Sequence, residues 1–108
     1  MNIEKFTSTK DLEASGKNYI YTEADFDKDT KTICNFCVIQ FHVKNNKQVP
    51  IIKIDTAHGK PHTHKYYKDN NKTEAFNSEI SSKCFLDAQR LIKRNWENNL
   101  KLYLRRNI

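Results

Sequence analysis

Glycine and proline are scarce in this 108-residue chain, which holds two of each. That scarcity excludes a linker-like or repeat-like low-complexity polymer. Three cysteines, an odd number, provide no disulfide framework, so Cys34, Cys37 and Cys84 are expected to be free thiols of a non-secreted, cytoplasmic protein. No stretch approaches the roughly 18 consecutive apolar residues that a membrane span needs, and residues 1–20 carry charges where a secretory signal would need its apolar core. A soluble protein with no membrane partner is therefore expected. Apolar residues are few as well, at 37%, with a mean hydropathy of -0.86. The length suits one small, highly solvated domain and is too short for two independent cores.

What the chain has in excess is positive charge, +6 in all, and it is unevenly placed. Residues 1–32 hold five Lys against seven acids, whereas residues 33–108 hold 14 basic residues against six acids. A basic second part attracts polyanions through its field and through counterion release, with nucleic acid the commonest partner of this sign. All four arginines lie beyond residue 89, and Arg recognises phosphate through a planar fork that Lys lacks.

The hydrophobic pattern predicts an α+β fold, a small antiparallel β-sheet packed against a long C-terminal helix, as one domain over 1–108. Residues 1–32 are polar and show no sustained period, with Phe6, Leu12, Tyr19, Tyr21 and Phe26 as scattered anchors. Residues 23–29 match a calcium loop in composition only, lacking its turn glycine and closing Glu, and read as a solvated turn. Residues 33–76 are expected to hold a hairpin and a histidine-rich loop. Thr32–Val43 is β-branched and aromatic and reads as a strand, Lys44–Lys47 as a turn, and Val49–Thr56 as the returning strand. A short third strand over His64–Lys68 and a turn over residues 69–72 follow. Residues 77–107 are expected to form a basic amphipathic helix capped by Asn77 or Ser78. At 100° per residue its Lys83, Arg90, Arg94, Lys101 and Arg105 fall within an arc of about 60°. Ile80, Cys84, Ala88, Leu91, Ile92 and Tyr103 form a separate apolar stripe.

The most informative stretch is Asp55-Thr-Ala-His-Gly-Lys-Pro-His-Thr-His64, which concentrates three of the four histidines with Gly59 and Pro61. Gly59 permits positive φ, and Pro61 fixes its own φ and extends Lys60. If the chain runs extended after Pro61, His62 and His64 share a face, and His58 can fold back towards them. Two chemistries suit the arrangement. The imidazoles can act as general acid and base in RNA cleavage, because a pKa near 6.5 supplies both protonation states near neutrality. Asp55 would then orient an imidazole, with Lys60 or an Arg stabilising the charged phosphorane. Alternatively His58, His62 and His64 hold a divalent transition metal with one open position. No cofactor is expected, a divalent metal being the alternative. A plain solvated turn in a Lys- and His-rich chain also fits.

Other candidates are less specific. Cys34-x-x-Cys37 has the spacing of half a zinc knuckle, but it lies in a predicted strand, where residues three apart point to opposite faces. Tyr66, beside Lys65 and Lys68, can stack a base, and Lys60, Lys65 and the helix cations Lys83, Arg90, Arg94, Lys101 and Arg105 are candidate nucleic-acid contacts. His42 stands apart and reads as a structural or surface histidine.

The run Ile52-Lys-Ile-Asp-Thr-Ala-His-Gly-Lys-Pro-His-Thr-His-Lys65 resembles that of small prokaryotic proteins in which a strand ends in a basic-x-Asp pair before Thr-Ala-His-Gly and spaced histidines. More loosely, it is similar to the TumE-like toxins of toxin–antitoxin pairs. The resemblance rests on Lys53, Asp55, His58, Gly59, His62 and His64. It implies an RNA-directed enzyme neutralised by an antitoxin protein, with Asp55, His58, His62 and His64 at the matching positions. The function expected is thus an RNA-directed toxin, a ribonuclease with a histidine acid–base site. A non-catalytic module binding nucleic acid or protein, and a metal-dependent hydrolase, are the alternatives.

Overall fold

The computed structural model describes residues 2–68, 73–76 and 79–106, apart from the side chain of His58. Among the described residues, six strands run in chain order through one antiparallel sheet: β1 (Ile3–Asp11), β2 (Asn18–Asp27), β3 (Thr32–Lys44), β4 (Lys47–Asp55), β5 (His62–Lys65) and β6 (Glu74–Ala75). One helix, α1 (Ser82–Arg106), packs across a single face of that sheet. The expected α+β architecture is present.

The N-terminal third supplies two long strands that the search for a sustained period missed. Ile20, Thr22 and Ala24 are buried while Tyr19, Tyr21 and Glu23 are half-buried, so β2 does alternate between faces. Its outer side is aromatic and acidic rather than uniformly polar, which blurred the pattern. The turns place positive φ at Gly16 between β1 and β2, at Lys31 between β2 and β3, and at Asn45 and Asn46 between β3 and β4, glycine and asparagine being the residues that tolerate it best.

Two register shifts interrupt the pairing of β3. One falls between Asp25 and Phe26 and the other between Gln40 and Phe41, leaving Cys34 and Ile51 as the extra residues. Pro50, which has no amide hydrogen to offer a ladder, sits beside the second irregularity, where one bond fewer is needed.

Under the helix, Ile20, Ala24, Ile33, Phe36, Val38, Ile52 and Ile54 meet Cys84, Phe85, Ala88 and Ile92. The helix begins later than its sequence pattern suggests. Ser81 caps it, its hydroxyl accepting the Cys84 amide at 3.0 Å and its carbonyl accepting that of Phe85 at 3.1 Å. The expected caps Asn77 and Ser78, and the turn over 69–72, lie outside the described residues. The third strand is also displaced, covering His62–Lys65 rather than His64–Lys68. At the helix's far end Arg106 Nη1 donates to the carbonyls of Tyr66 and Lys68, at 2.9 and 2.5 Å, tying α1 to the turn after β5.

Of the two readings of His42, structural or surface, its contacts fit the structural one. Its Nδ1 donates to Asn18 Oδ1 at 2.8 Å, and Asn18 Nδ2 in turn donates to Glu13 at 3.0 Å. Burial holds the His42 pKa below its usual value despite an opposing backbone hydrogen bond at Lys17. The unfolded chain therefore binds the proton more readily, and stability associated with neutral His42 is present above about pH 6.5 and lost as pH falls through the depressed value. The thermal midpoint of the native protein should fall more between pH 7.5 and 5 than that of His42→Gln. Parallel loss in both would remove His42 from the acid response.

Candidate catalytic site

The face of the sheet opposite the helix carries the candidate residues Asp55, His62 and His64. In the antiparallel register of β4 and β5, Asp55 stands opposite His62 and Lys53 opposite His64, and paired residues share a face. His62 and His64, two residues apart on one strand, thus project to the same side, as the sequence predicts. Asp55 and Lys53 project with them.

A tight connection sets this register. Thr56 clamps the end of β4 to β3: its amide donates to the Phe36 carbonyl at 3.1 Å, and its hydroxyl accepts the Phe36 amide at 3.0 Å. A single 3-10 turn, Ala57–Gly59, follows and closes through the Gly59 amide on the Thr56 carbonyl at 3.1 Å. Gly59 has φ +85°, a conformation strained for any residue with a Cβ. Pro61 is buried, and its carbonyl accepts the Phe76 amide at 3.0 Å. His58 belongs to this turn, but its side chain lies outside the described part of the structure, so its meeting with His62 and His64 stays an expectation.

The side chains are arranged around Asp55, which is only 8% exposed. Lys53 Nζ lies 3.3 Å from Oδ2, and His64 Nε2 lies 3.5 Å from Oδ1. Among the described residues, no hydrogen bond reaches the buried Oδ1. Burial works to lower the Lys53 pKa, but neighbouring Tyr66 and Asp55 outweigh it and hold it above the usual lysine value. Lys53 is accordingly a fixed positive charge here and not a base. His62 Nδ1 donates to the Lys60 carbonyl at 2.8 Å, which leaves Nε2 as the acceptor nitrogen.

Tyr66 extends the site. Its ring stacks on His64 with centroids 6.5 Å apart and planes 15° from parallel. Cys37 and Glu23 continue the row of Asp55 and His62 across β3 and β2. Burial first, then the charge of Asp55, pushes the Cys37 thiol up to about 11. Cys37 is thus a neutral thiol near pH 7 and a poor nucleophile or metal ligand. Native protein should alkylate at Cys37 on the order of 100-fold more slowly at pH 8 than the urea-unfolded chain, read by mass spectrometry of iodoacetamide-treated samples. Equal rates would mean the thiol is not held neutral by its surroundings.

Beside this row, Lys5, Glu23, Asp25, Asn35, Cys37 and Thr56 line a recess of about 240 Å³. Lys5 lies 3.6 Å from Glu23 and 3.7 Å from Asp25, partly offsetting the acids. Glu23, Asp25 and Lys5 were missed because the two strands that carry them were missed. The available signal was the alternation of Tyr19, Tyr21, Glu23 and Asp25 with Ile20, Thr22, Ala24 and Phe26.

The predicted cations divide. Lys60 is exposed on the loop beside His62. Lys65 points to the helix side of the sheet and pairs with Glu74 at 2.7 Å. On α1, Lys83, Arg90, Arg94, Lys101 and Arg105 are exposed and lie opposite Cys84, Ala88, Ile92 and Asn99, which face the sheet. Lys83 pairs with Asp87 at 2.8 Å. The sheet therefore separates the basic stripe from the histidines, and the stripe cannot grip a phosphate bound at His62 and His64 of the same chain. Among the described residues, no three His, Cys, Asp or Glu side chains gather closely enough to hold a metal ion. The alternative metal set contains His58 and so falls partly outside them.

A comparison with known families now places the chain. The family described as a domain of unknown function, DUF7718, matches residues 6–107. The chain belongs to that family. The match runs from Phe6 within β1 to the end of α1, so the histidine turn is an internal part of the family's domain. Searches of curated proteins and of solved structures return no match. Among the described residues, no helix is long and apolar enough to cross a membrane.

Proposed function

We propose that this protein is an RNA-directed toxin of a toxin–antitoxin pair, a cytoplasmic ribonuclease that cleaves by acid–base catalysis at His62 and His64. One observation carries the chemistry: two imidazoles share a face of β5 with a buried carboxylate and a lysine in register beneath them. The Cα atoms of residues two apart on a strand are separated by about 6.6 Å. That spacing suits an acid and a base reaching the attacking and leaving oxygens of one phosphate, which lie on opposite sides of phosphorus.

In the reaction, His62 Nε2 takes the proton of the ribose 2′-hydroxyl while Nδ1 remains on the Lys60 carbonyl. The 2′-oxygen bonds to phosphorus, the bond to the 5′-oxygen breaks, and the products are a 2′,3′-cyclic phosphate and a free 5′-hydroxyl. His64, steadied by Asp55 on its Nε2 side, gives the leaving oxygen its proton from the other ring nitrogen. Lys53 and the loop residue Lys60 supply positive charge to the phosphorane. The partner neutralising such an activity is an antitoxin protein. The loose resemblance to TumE-like toxins supports the same reading.

The test is direct. Purified protein incubated with single-stranded RNA from pH 5 to 8.5, in the presence of a chelator, is expected to leave cyclic phosphate ends. It should spare a strand carrying 2′-deoxyribose. Binding without cleavage, with or without added divalent metal, would leave a binding module; cleavage of both sugars would refute attack by the 2′-hydroxyl.

A further inference from the structure

The face that carries His62 and His64 continues across the sheet. One row runs through residues in register from His64 on β5 to Lys53, Ile39, Tyr21 and Thr9 on β4, β3, β2 and β1. In the next row Tyr19 stands opposite Phe41, their rings 5.3 Å apart and tilted by 26°. Tyr19, Tyr21, Ile39 and Phe41 are half-buried, although the helix lies on the other side. With Thr9 and Gln48 they line a shallow recess of about 360 Å³.

We infer that this recess is a stacking platform for the bases of single-stranded RNA, the substrate of the histidine site. The inference rests on the acid–base reading above. Three features on the page favour this occupant. First, the recess combines flat aromatic rings with two polar neutral side chains, and none of its six lining residues is charged. A base has a π-face and polar edges and fits such a surface, whereas a duplex hides its π-faces. Second, the platform is continuous with the site. Three strand spacings, about 14 Å, separate Tyr21 from His64. A strand with its scissile phosphate at the histidines would thus lay a base roughly two nucleotides away on Tyr21. Third, Lys53 lies between the two in the same row and stays protonated, so a cation stands where the connecting phosphates pass. Of the acids on this face, Asp11 stands opposite Tyr19, Glu23 and Asp25 lie beside Cys37, and Asp55 pairs with Lys53 at 3.3 Å; none of them lines the aromatic recess.

The platform makes the substrate single-stranded and makes recognition tolerant of sequence at that position, because every base offers a π-face. It also gives the open sheet face a use distinct from that of the basic stripe on α1.

The probe is a fluorescein-labelled 12-mer RNA of mixed sequence, followed by anisotropy at moderate salt. Its riboses are 2′-O-methylated, so there is no 2′-hydroxyl proton to remove and wild type binds the probe without cleaving it. Tyr21→Leu combined with Phe41→Leu should weaken binding by on the order of 10-fold or more, whereas Tyr21→Phe, which keeps the ring, should bind as wild type does. A hairpin duplex of the same composition should bind more weakly than the single strand. Circular dichroism and thermal melting of each variant check folding, and Tyr21→Phe guards against mistaking a packing defect for lost stacking. Equal binding by Tyr21→Leu, Phe41→Leu and wild type would overturn the platform. So would a change of these variants from dimer to monomer with RNA binding intact, which would make the face a contact between copies. If wild type cleaves RNA but the leucine variants bind and cleave normally, the platform fails alone. If the platform binds RNA and nothing is cleaved, the catalytic reading fails alone.

Discussion

His62→Ala is expected to lower the rate of RNA cleavage by on the order of 100-fold to 10,000-fold, the usual contribution of one positioned acid or base. His64→Ala should fall in the same range. The double variant should lose less than the product of the two, since residues that act as a unit in one transition state are not additive. The pH–rate profile of wild type should be bell-shaped, and each single variant should lose one limb. Arg90→Glu with Arg94→Glu is the informative control. The sheet lies between those side chains and the histidines, so turnover of a short oligonucleotide should be unchanged within about twofold. In an expression assay the same ordering should appear as growth inhibition, strong for wild type and the arginine variant and absent for the histidine variants. Initial rates on a fluorogenic RNA decide the matter. A His62→Ala protein that is folded and as active as wild type would remove that imidazole from the chemistry.

The contrast between the two sides of the sheet was not legible before the topology was known. The histidine loop could be read from residues 55–64 because its geometry is local: Gly59 and Pro61 fix the turn, and strand periodicity puts His62 and His64 on one face. The basic stripe could be read from residues 83–105 for the same reason, since helical periodicity is local too. Whether these two local features share one surface depends on which face of the sheet the helix covers. That choice is made by Ile20, Ala24, Val38 and Ile54, buried residues of one face drawn from three strands. The first of those strands carries Tyr19, Tyr21, Glu23 and Asp25 on its open side, so its pattern does not resemble a polar outer face. Missing β1 and β2 also hid the aromatic recess and the acids beside Cys37. By size alone, a 108-residue domain would be expected to have room for one such surface. A six-stranded sheet with a single helix instead offers two broad and independent surfaces.

The second large effect concerns what holds those surfaces apart. Gln40 is fully buried between sheet and helix, yet it is polar. Its Nε2 donates to the Trp96 carbonyl at 3.0 Å, and its Oε1 accepts Asn99 Nδ2 at 3.2 Å. Tyr67 reaches Asn99 Oδ1 at 3.5 Å, at the outer limit of such a bond. Gln40→Ala both opens a cavity and strands the Asn99 amide without a partner, and should destabilise the protein by about 2–4 kcal/mol. In a domain of this size that is on the order of 10 °C or more in thermal midpoint. Gln40→Leu should be nearly as harmful, because it fills the space but leaves Asn99 unsatisfied. Gln40→Leu with Asn99→Leu should recover part of the loss, since removing both partners removes the stranded group. Urea unfolding of wild type, Gln40→Leu, Asn99→Leu and the double variant measures the cycle, and strictly additive losses would show that the two amides do not act as a pair. Because the network lies on the helix side, the folded fraction of Gln40→Leu should cleave RNA at the wild-type rate. A fall in turnover without a fall in folded fraction would mean that the helix side reaches the histidines through β4, by way of Ile52 and Ile54 alternating with Lys53 and Asp55.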